Sequence, residues 1–235
     1  MVLQRETKVP VWGTARKDEK ITVAFADQKV STSADANGRW LVRLAPMVEG
    51  GPFEMVVSGD DTVRLTDVLV GEVWLCSGQS NMELAVERTT NAKEEIAAAR
   101  YPLIRLFTVL RTGSESPRES WIGSWYACDS SSVRKFSGAA DFFGRKLHQD
   151  LGIPIGLVHS SYGGTPAEAW MSKEALGSDV DFQPILDRWK KNVEEYPEKK
   201  KEFESNRSQF MQKWQEDSAT ATKAGKAPPA QMRTE

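Results

Sequence analysis

Between Val68 and Met171, apolar runs of strand length alternate with segments of helical periodicity, and this alternation confines the chain to a largely parallel sheet with helices on its faces. LIRLFTVL (103–110) and Ile155-Gly156-Leu157-Val158 read as strands. Between them Phe136, Ala140, Phe143, Leu147 and Leu151 fall at helical spacing, and Gly152 marks where that helix stops. Asn91 and Glu94 have the spacing of a capping box ahead of EEIAAAR. Upstream of Asp67 the period drops to two. ITVAFA and RWLVRL alternate, Asn37-Gly38 is a hairpin signal, and Gly59-Asp60-Asp61 separates PFEMVVS from TVRLTDVLV. The expected organisation is a small β-sandwich over residues 1–66, followed by an α/β domain over 67–235.

Past Met171 the texture becomes charged, and residues 172–225 read as a helical insert. Ile185, Trp189, Val193 and Tyr196 form one apolar stripe, Pro197 interrupts, and Phe203, Phe210, Met211 and Trp214 form another, so a helical hairpin is expected. The last residues, AGKAPPAQMRTE, have the composition of a tail.

In VWLCSGQSNM (73–82) an apolar strand ends at a small hydroxyl, just before a helical segment. In open α/β sheets ligands collect at the carboxyl ends of the strands, where loops diverge and backbone N–H groups point outward. Ser80 sits at such an end, and Gly78 permits a sharp turn before it. A serine there suits a nucleophile or a helix N-cap. Asn81 and Met82 occupy the places where an α/β-hydrolase elbow needs glycine two residues after the serine, which disfavours that fold. With a net charge of −2 over 235 residues and a pI near 5.9, the chain has no basic field to attract nucleic acid or an anionic membrane, and no apolar run approaches the length of a membrane span. The first residues also lack the basic start and long apolar centre of a signal peptide. Cys76 and Cys128 are too few for a disulfide framework and read as packed thiols.

GQSNM closely resembles the nucleophile block of the SGNH-hydrolase superfamily, in its sialate O-acetylesterase and related carbohydrate-acetylesterase branch. FSGAADFFGRKLHQDLGIPIGLVHSSYGGTPAEAWMS (136–172) resembles the helix, strand and GGT block that follow, and MVLQRETKVPVWG resembles the N-terminal β-domain. The resemblance implies a flavodoxin-like SGNH sheet, incomplete here, and a serine esterase that removes acetyl groups from sugar hydroxyls. Ser80 would attack the acetyl carbonyl, and the backbone N–H groups of Ser80 and of Gly163 or Gly164 would hold the oxyanion. Gln79 and Asn81 would support the nucleophile turn. Glu168 reads as a partner for a helix dipole, and Trp74, Tyr162 and Trp170 as core aromatics. The implied partner is an acetylated carbohydrate, without metal or cofactor, and the resemblance implies a secreted or periplasmic location.

The sequence departs from the family at the general base. Neither an Asp-x-x-His segment nor a Gln-Gly-Glu block is present. The histidines are His148, expected to be exposed late on its helix, and His159, at the end of a strand with no carboxylate to orient it. The expectation is a chain cut at both ends, with the nucleophile present, the base missing and a sheet edge exposed. The competing expectations are a noncatalytic glycan-binding protein on the same scaffold and an inert structural one.

Overall fold

The structure, a computed structural model, describes residues 1–114, 116–118, 120 and 122–223. The chain separates into two compact units, Met1–Thr165 and Pro166–Glu235. The first unit is mixed α/β, with an N-terminal β-sandwich region leading into a sheet that contains parallel strands.

In the N-terminal region, β1 (Val2–Gln4), β2 (Val9–Thr14), β3 (Lys20–Phe25), β4 (Gln28–Ser33), β5 (Arg39–Leu44), β6 (Gly50–Ser58) and the first part of β7 (Thr62–Gly78) form two layers. β2 and β5 pair as one sheet, and β4-β3-β6-β7 run in order in the other. Period-two patterning sends one face of each strand inward. Val9, Trp40, Val42 and Leu44 thus meet Ile21, Val23, Phe25, Met55, Val68 and Val70 in one core.

The change of texture near Asp67 falls inside β7, which continues from one region into the other over 17 residues. Asp67 has a left-handed φ of 58°, and the pairing of β6 with β7 shifts register beside it. The buried Arg105 guanidinium clasps Asp67 through both oxygens, and this pair holds the carboxyl below its ordinary range.

Beyond that point come α1 (Ser80–Glu83), α2 (Ala92–Ala98), β8 (Arg100–Thr108), β9 (Trp125–Asp129), α3 (Gly138–Leu151) and β10 (Ile155–Ser161). β10 lies between β7 and β8, parallel to both, in register from Ile155↔Glu72 to Ser161↔Gly78. β9, which sequence patterning does not mark as a strand, closes the far edge antiparallel to β8. From Glu72 onward β7 has β10 on one side and no strand on the other among the described residues. Ile104, Leu106, Cys128, Phe136, Ala140, Ile155 and Leu157 form the second core under α3. Cys76 and Cys128 are buried in it as free thiols, and burial pushes them up to about 11 and about 12.

α3 begins with Ser137 accepting the Ala140 N–H and ends at Gly152 with φ 70°, as its sequence signals require. α2 differs from expectation. Asn91 precedes it in the left-handed region and makes no side-chain cap, because φ 58° replaces the extended backbone from which a capping side chain reaches the first turn.

The second unit contains a short 3-10 turn at Ala167–Trp170, α4 (Lys173–Gly177), another at Val180–Phe182, and α5 (Gln183–Lys223). The expected hairpin is instead one helix of 41 residues with Pro197 inside it. A proline costs a helix about 3 kcal/mol, which ends it only where the flanks offer a turn. Here the flanks are Glu and Lys runs, and Glu195 pairs with Lys191 before Pro197 and with Lys199 after it. The AGKAPPAQMRTE tail lies outside the described residues.

Candidate functional site

Because β7 and β10 are adjacent and parallel, the turns that leave their carboxyl ends meet at one end of the sheet. After β7, Gly78 turns at φ 145°, a conformation few other residues adopt, and Gln79 leads into α1. Ser80 is the first residue of α1 and is exposed. α1, the helical segment expected behind the serine, is a single turn of four residues, so its dipole is small.

The turn after β10 comes to the same place. A Cβ built on Gly163 would lie 3.6 Å from the Ser80 Cα. The Gly164 N–H donates to Gln79 Oε1 at 3.2 Å, and the Ser80 hydroxyl donates to the same oxygen at 3.3 Å. Gln79 therefore ties the turn before Ser80 to the glycine turn, a longer reach than the local support its sequence position implies. Asn81 follows on the exposed side of α1.

Two residues that patterning does not single out complete the cluster. The Glu83 carboxylate accepts the Gly163 N–H through one oxygen and an Arg111 N–H through the other. Arg111 also lies over the Tyr162 ring, 5.5 Å from its centroid. The available signal for Glu83 is its place three residues after Ser80, which on a helical turn faces the same way. Arg111 has no such signal, since it lies in a loop after β8. A groove of about 820 Å³ runs from Arg111 past Thr108, Tyr126, Ser132 and Lys135 at this end of the sheet. Its described lining carries two cations, Arg111 and Lys135, and no carboxylate.

His159 lies near the end of β10, which runs on to Ser161, and it is buried. Its Nε2 lies 2.6 Å from the hydroxyl of Ser161, itself buried, and its ring meets Phe136 edge-on at 5.4 Å. Nδ1 has no hydrogen-bond partner among the described residues. The imidazole is thus paired with Ser161 and not with Ser80. Burial, aided by the Arg111 charge and opposed by Glu83, lowers its pKa from an ordinary 6.5.

That shift has a measurable consequence. With the folded pKa depressed, an unfolded chain takes up the proton first, so the stabilising contribution is present above pH 6.5 and is lost as pH falls through the folded value. The urea midpoint of the wild-type chain is expected to fall between pH 7 and pH 5.5 more steeply than that of His159→Gln. Parallel profiles would mean that His159 titrates alike in both states.

The remaining candidates lie elsewhere. His148, expected to be exposed, is half-buried, with Nδ1 2.8 Å from the Ile153 carbonyl oxygen. Trp74 and Tyr162 are 43 % and 50 % exposed, not core, because Trp74 lies at the margin of α3 against Phe143 and Tyr162 follows the end of β10. In the second unit Trp170 is also partly exposed, and Glu168, on a 3-10 turn, accepts from Arg188 instead of serving a helix dipole. No group of three or more His, Cys, Asp or Glu that could hold a metal ion occurs among the described residues.

With this geometry in view, the relatives are informative. Residues 70–205 match the family described as carbohydrate esterase, sialic acid-specific acetylesterase. Over 197 residues the chain is 37 % identical to the sialate O-acetylesterase of Rattus norvegicus, covering 75 % of this chain and 36 % of the relative. It is 36 % identical to that of Homo sapiens, covering 75 % and 38 %. A crystal structure of a carbohydrate acetylesterase from Xanthomonas citri superposes with a TM-score of 0.73 at 37 % identity, over 76 % of this chain and 42 % of that one. The chain spans well under half the length of these relatives.

Proposed function

Because the chain belongs to the carbohydrate esterase, sialic acid-specific acetylesterase family, we propose that it carries the nucleophile and oxyanion part of a serine esterase that removes O-acetyl groups from sugars. The observation that supports this most directly is the meeting of Ser80 with the Gly163-Gly164 turn at the carboxyl ends of two adjacent parallel strands. In this reading the Ser80 oxygen adds to the acetyl carbonyl, and the carbonyl oxygen gains negative charge facing the N–H group of Ser80 and that of Gly163 or Gly164, once Glu83 or Gln79 has given it up. The sugar oxygen departs with a proton and leaves an acetyl ester on Ser80, which water then hydrolyses to acetate. Gln79 fixes the distance between the two turns, Asn81 supports the first, and the groove beside Arg111 and Tyr126 receives the sugar.

The test is direct. The chain is incubated with an aryl acetate or a 9-O-acetylated sialic acid, quenched in acid and digested, and the peptide containing Ser80 is expected to carry an added acetyl group. An acetyl group on another residue, or on none, would remove Ser80 from the nucleophile role.

A second reading has an observation of its own. The histidine near the site, His159, faces Ser161, so no imidazole reaches Ser80 among the described residues. That arrangement favours a noncatalytic glycan-binding protein, for which sugar binding persists without any acetyl-enzyme.

A further inference from the structure

The carboxylate of Glu83 is held as a free carboxylate ligand would be. One oxygen receives a backbone N–H and the other a guanidinium N–H, two donors from different elements converging on one anion. We propose that the Gly163 amide and Arg111 form a binding site for a small carboxylate anion, with acetate as the nearest case, and that Glu83 occupies it as a tethered internal ligand.

Three features support a site and not only an ion pair. Gly163 presents its N–H with no side chain beside it, and the atom a Cβ there would crowd, at 2.6 Å, is Glu83 Oε2, the movable end of the tethered ligand. Arg111 has a second anchor over the Tyr162 ring, so its position does not depend on Glu83 alone. The Glu83 and Arg111 side chains are 29 % and 49 % exposed, which leaves room for a soluble anion to enter and for Glu83 to leave.

The tether explains why an outside anion would compete poorly in the intact chain. Glu83 is attached to α1, and its effective concentration at the site is on the order of millimolar or higher. Acetate must displace it. The same contact bears on the esterase reading, on which this consequence rests: while Glu83 accepts the Gly163 N–H, that donor is not available to a developing oxyanion. Turnover through Gly163 would require Glu83 to swing away, and the acetate formed would be released next to the site that binds it.

The experiment is an acetate titration of the 15N-labelled chain, following the Gly163 amide at constant ionic strength with chloride as the reference anion. Glu83→Ala is expected to bind acetate about tenfold tighter than wild type, with the largest shifts at Gly163, and Glu83→Ala/Arg111→Ala is expected to lose that gain. If Glu83→Ala disturbs the rest of the spectrum, Glu83→Gln keeps the side-chain volume and should show a smaller gain in the same direction. Equal acetate affinity in wild type and both Glu83 variants, or shifts that leave the Gly163 amide unmoved, would overturn the proposal. Binding does not need the nucleophile, so Glu83→Ala/Ser80→Ala should bind as tightly as Glu83→Ala. Acetate binding without acetyl-Ser80 would count against the esterase reading alone, and acetyl-Ser80 without acetate binding would count against this site alone.

Discussion

Ser80→Ala is expected to reduce acetate release from an aryl acetate to the uncatalysed background, while His159→Gln leaves the slow rate of the wild-type chain where it was. A serine hydroxyl is almost wholly protonated at neutral pH, so fast attack needs an imidazole to take its proton and return it to the leaving oxygen. His159 is not placed for that, because its Nε2 is 2.6 Å from the buried Ser161 hydroxyl and its charged form is disfavoured by burial. What remains is the pair of turns that would bind the oxyanion once Glu83 or Gln79 gives up its glycine N–H, and such donors with substrate binding alone retain roughly 10³ over water in enzymes stripped of the rest of their triad. The wild-type chain is therefore expected to run slowly but measurably, and an active-site serine presented with an Asp-x-x-His segment, as the family resemblance implies, should run about 10³-fold faster or more. Acetate release followed in wild type, Ser80→Ala and His159→Gln separates the cases. Equal loss on both substitutions would make His159 the base after a rearrangement of its ring, and equal rates in all three would remove Ser80 from the chemistry.

Leu157→Ala is expected to cost about 2–5 kcal/mol, the range for emptying a fully buried leucine site. Leu157 lies on the central strand of β7-β10-β8 with no exposed surface, and its side chain fills the space that Gly144 of α3 leaves open, where an added Cβ would come within 2.5 Å. Backbone pairing on both sides of β10 prevents the strand from closing the hole. Thermal melts followed by circular dichroism should show a midpoint lower by roughly 5–15 °C for a protein of this size. A drop below about 2 °C would mean that α3 collapses onto the cavity, and that the contact between α3 and β10 is soft.

The sequence is most informative where one local pattern has one structural outcome. Ser80 and Gly163 both follow apolar runs of strand length, and parallel strands deliver their following loops to the same end, so their arrival at one end of the sheet is accessible from patterning, although Trp74 and Leu75 of the first run are exposed at its open edge. The order of the strands is not. Nothing in Ile155–Ser161 says that it inserts between β7 and β8, because that choice is made by side chains from distant parts of the chain. WYACD is too short and mixed to read as a strand, yet pairing with β8 makes it one. Pro197 and Asn91 are residues whose usual local meaning is overridden, the first by the Glu and Lys flanks and the second by a left-handed backbone. Glu83 and Arg111 show the limit most clearly. A charged residue on a surface turn is ordinarily solvated, and only the meeting of three loops makes these two part of a site.

β7 gives the N-terminal sheet a mechanical task. A hydrogen-bonded strand barely stretches, advancing about 3.3 Å per residue, so it behaves as a rod along its own axis. The rod is gripped at one end by β6 and β1 and locked at its bend by the Arg105 clasp on Asp67, and at its other end it carries Ser80. A slip of one residue in the grip would move the serine by the length of a residue and invert which side chains of the rod face the second core. The sandwich region, although far along the chain from Ser80, is the vice that sets the height of that serine at the end of the sheet.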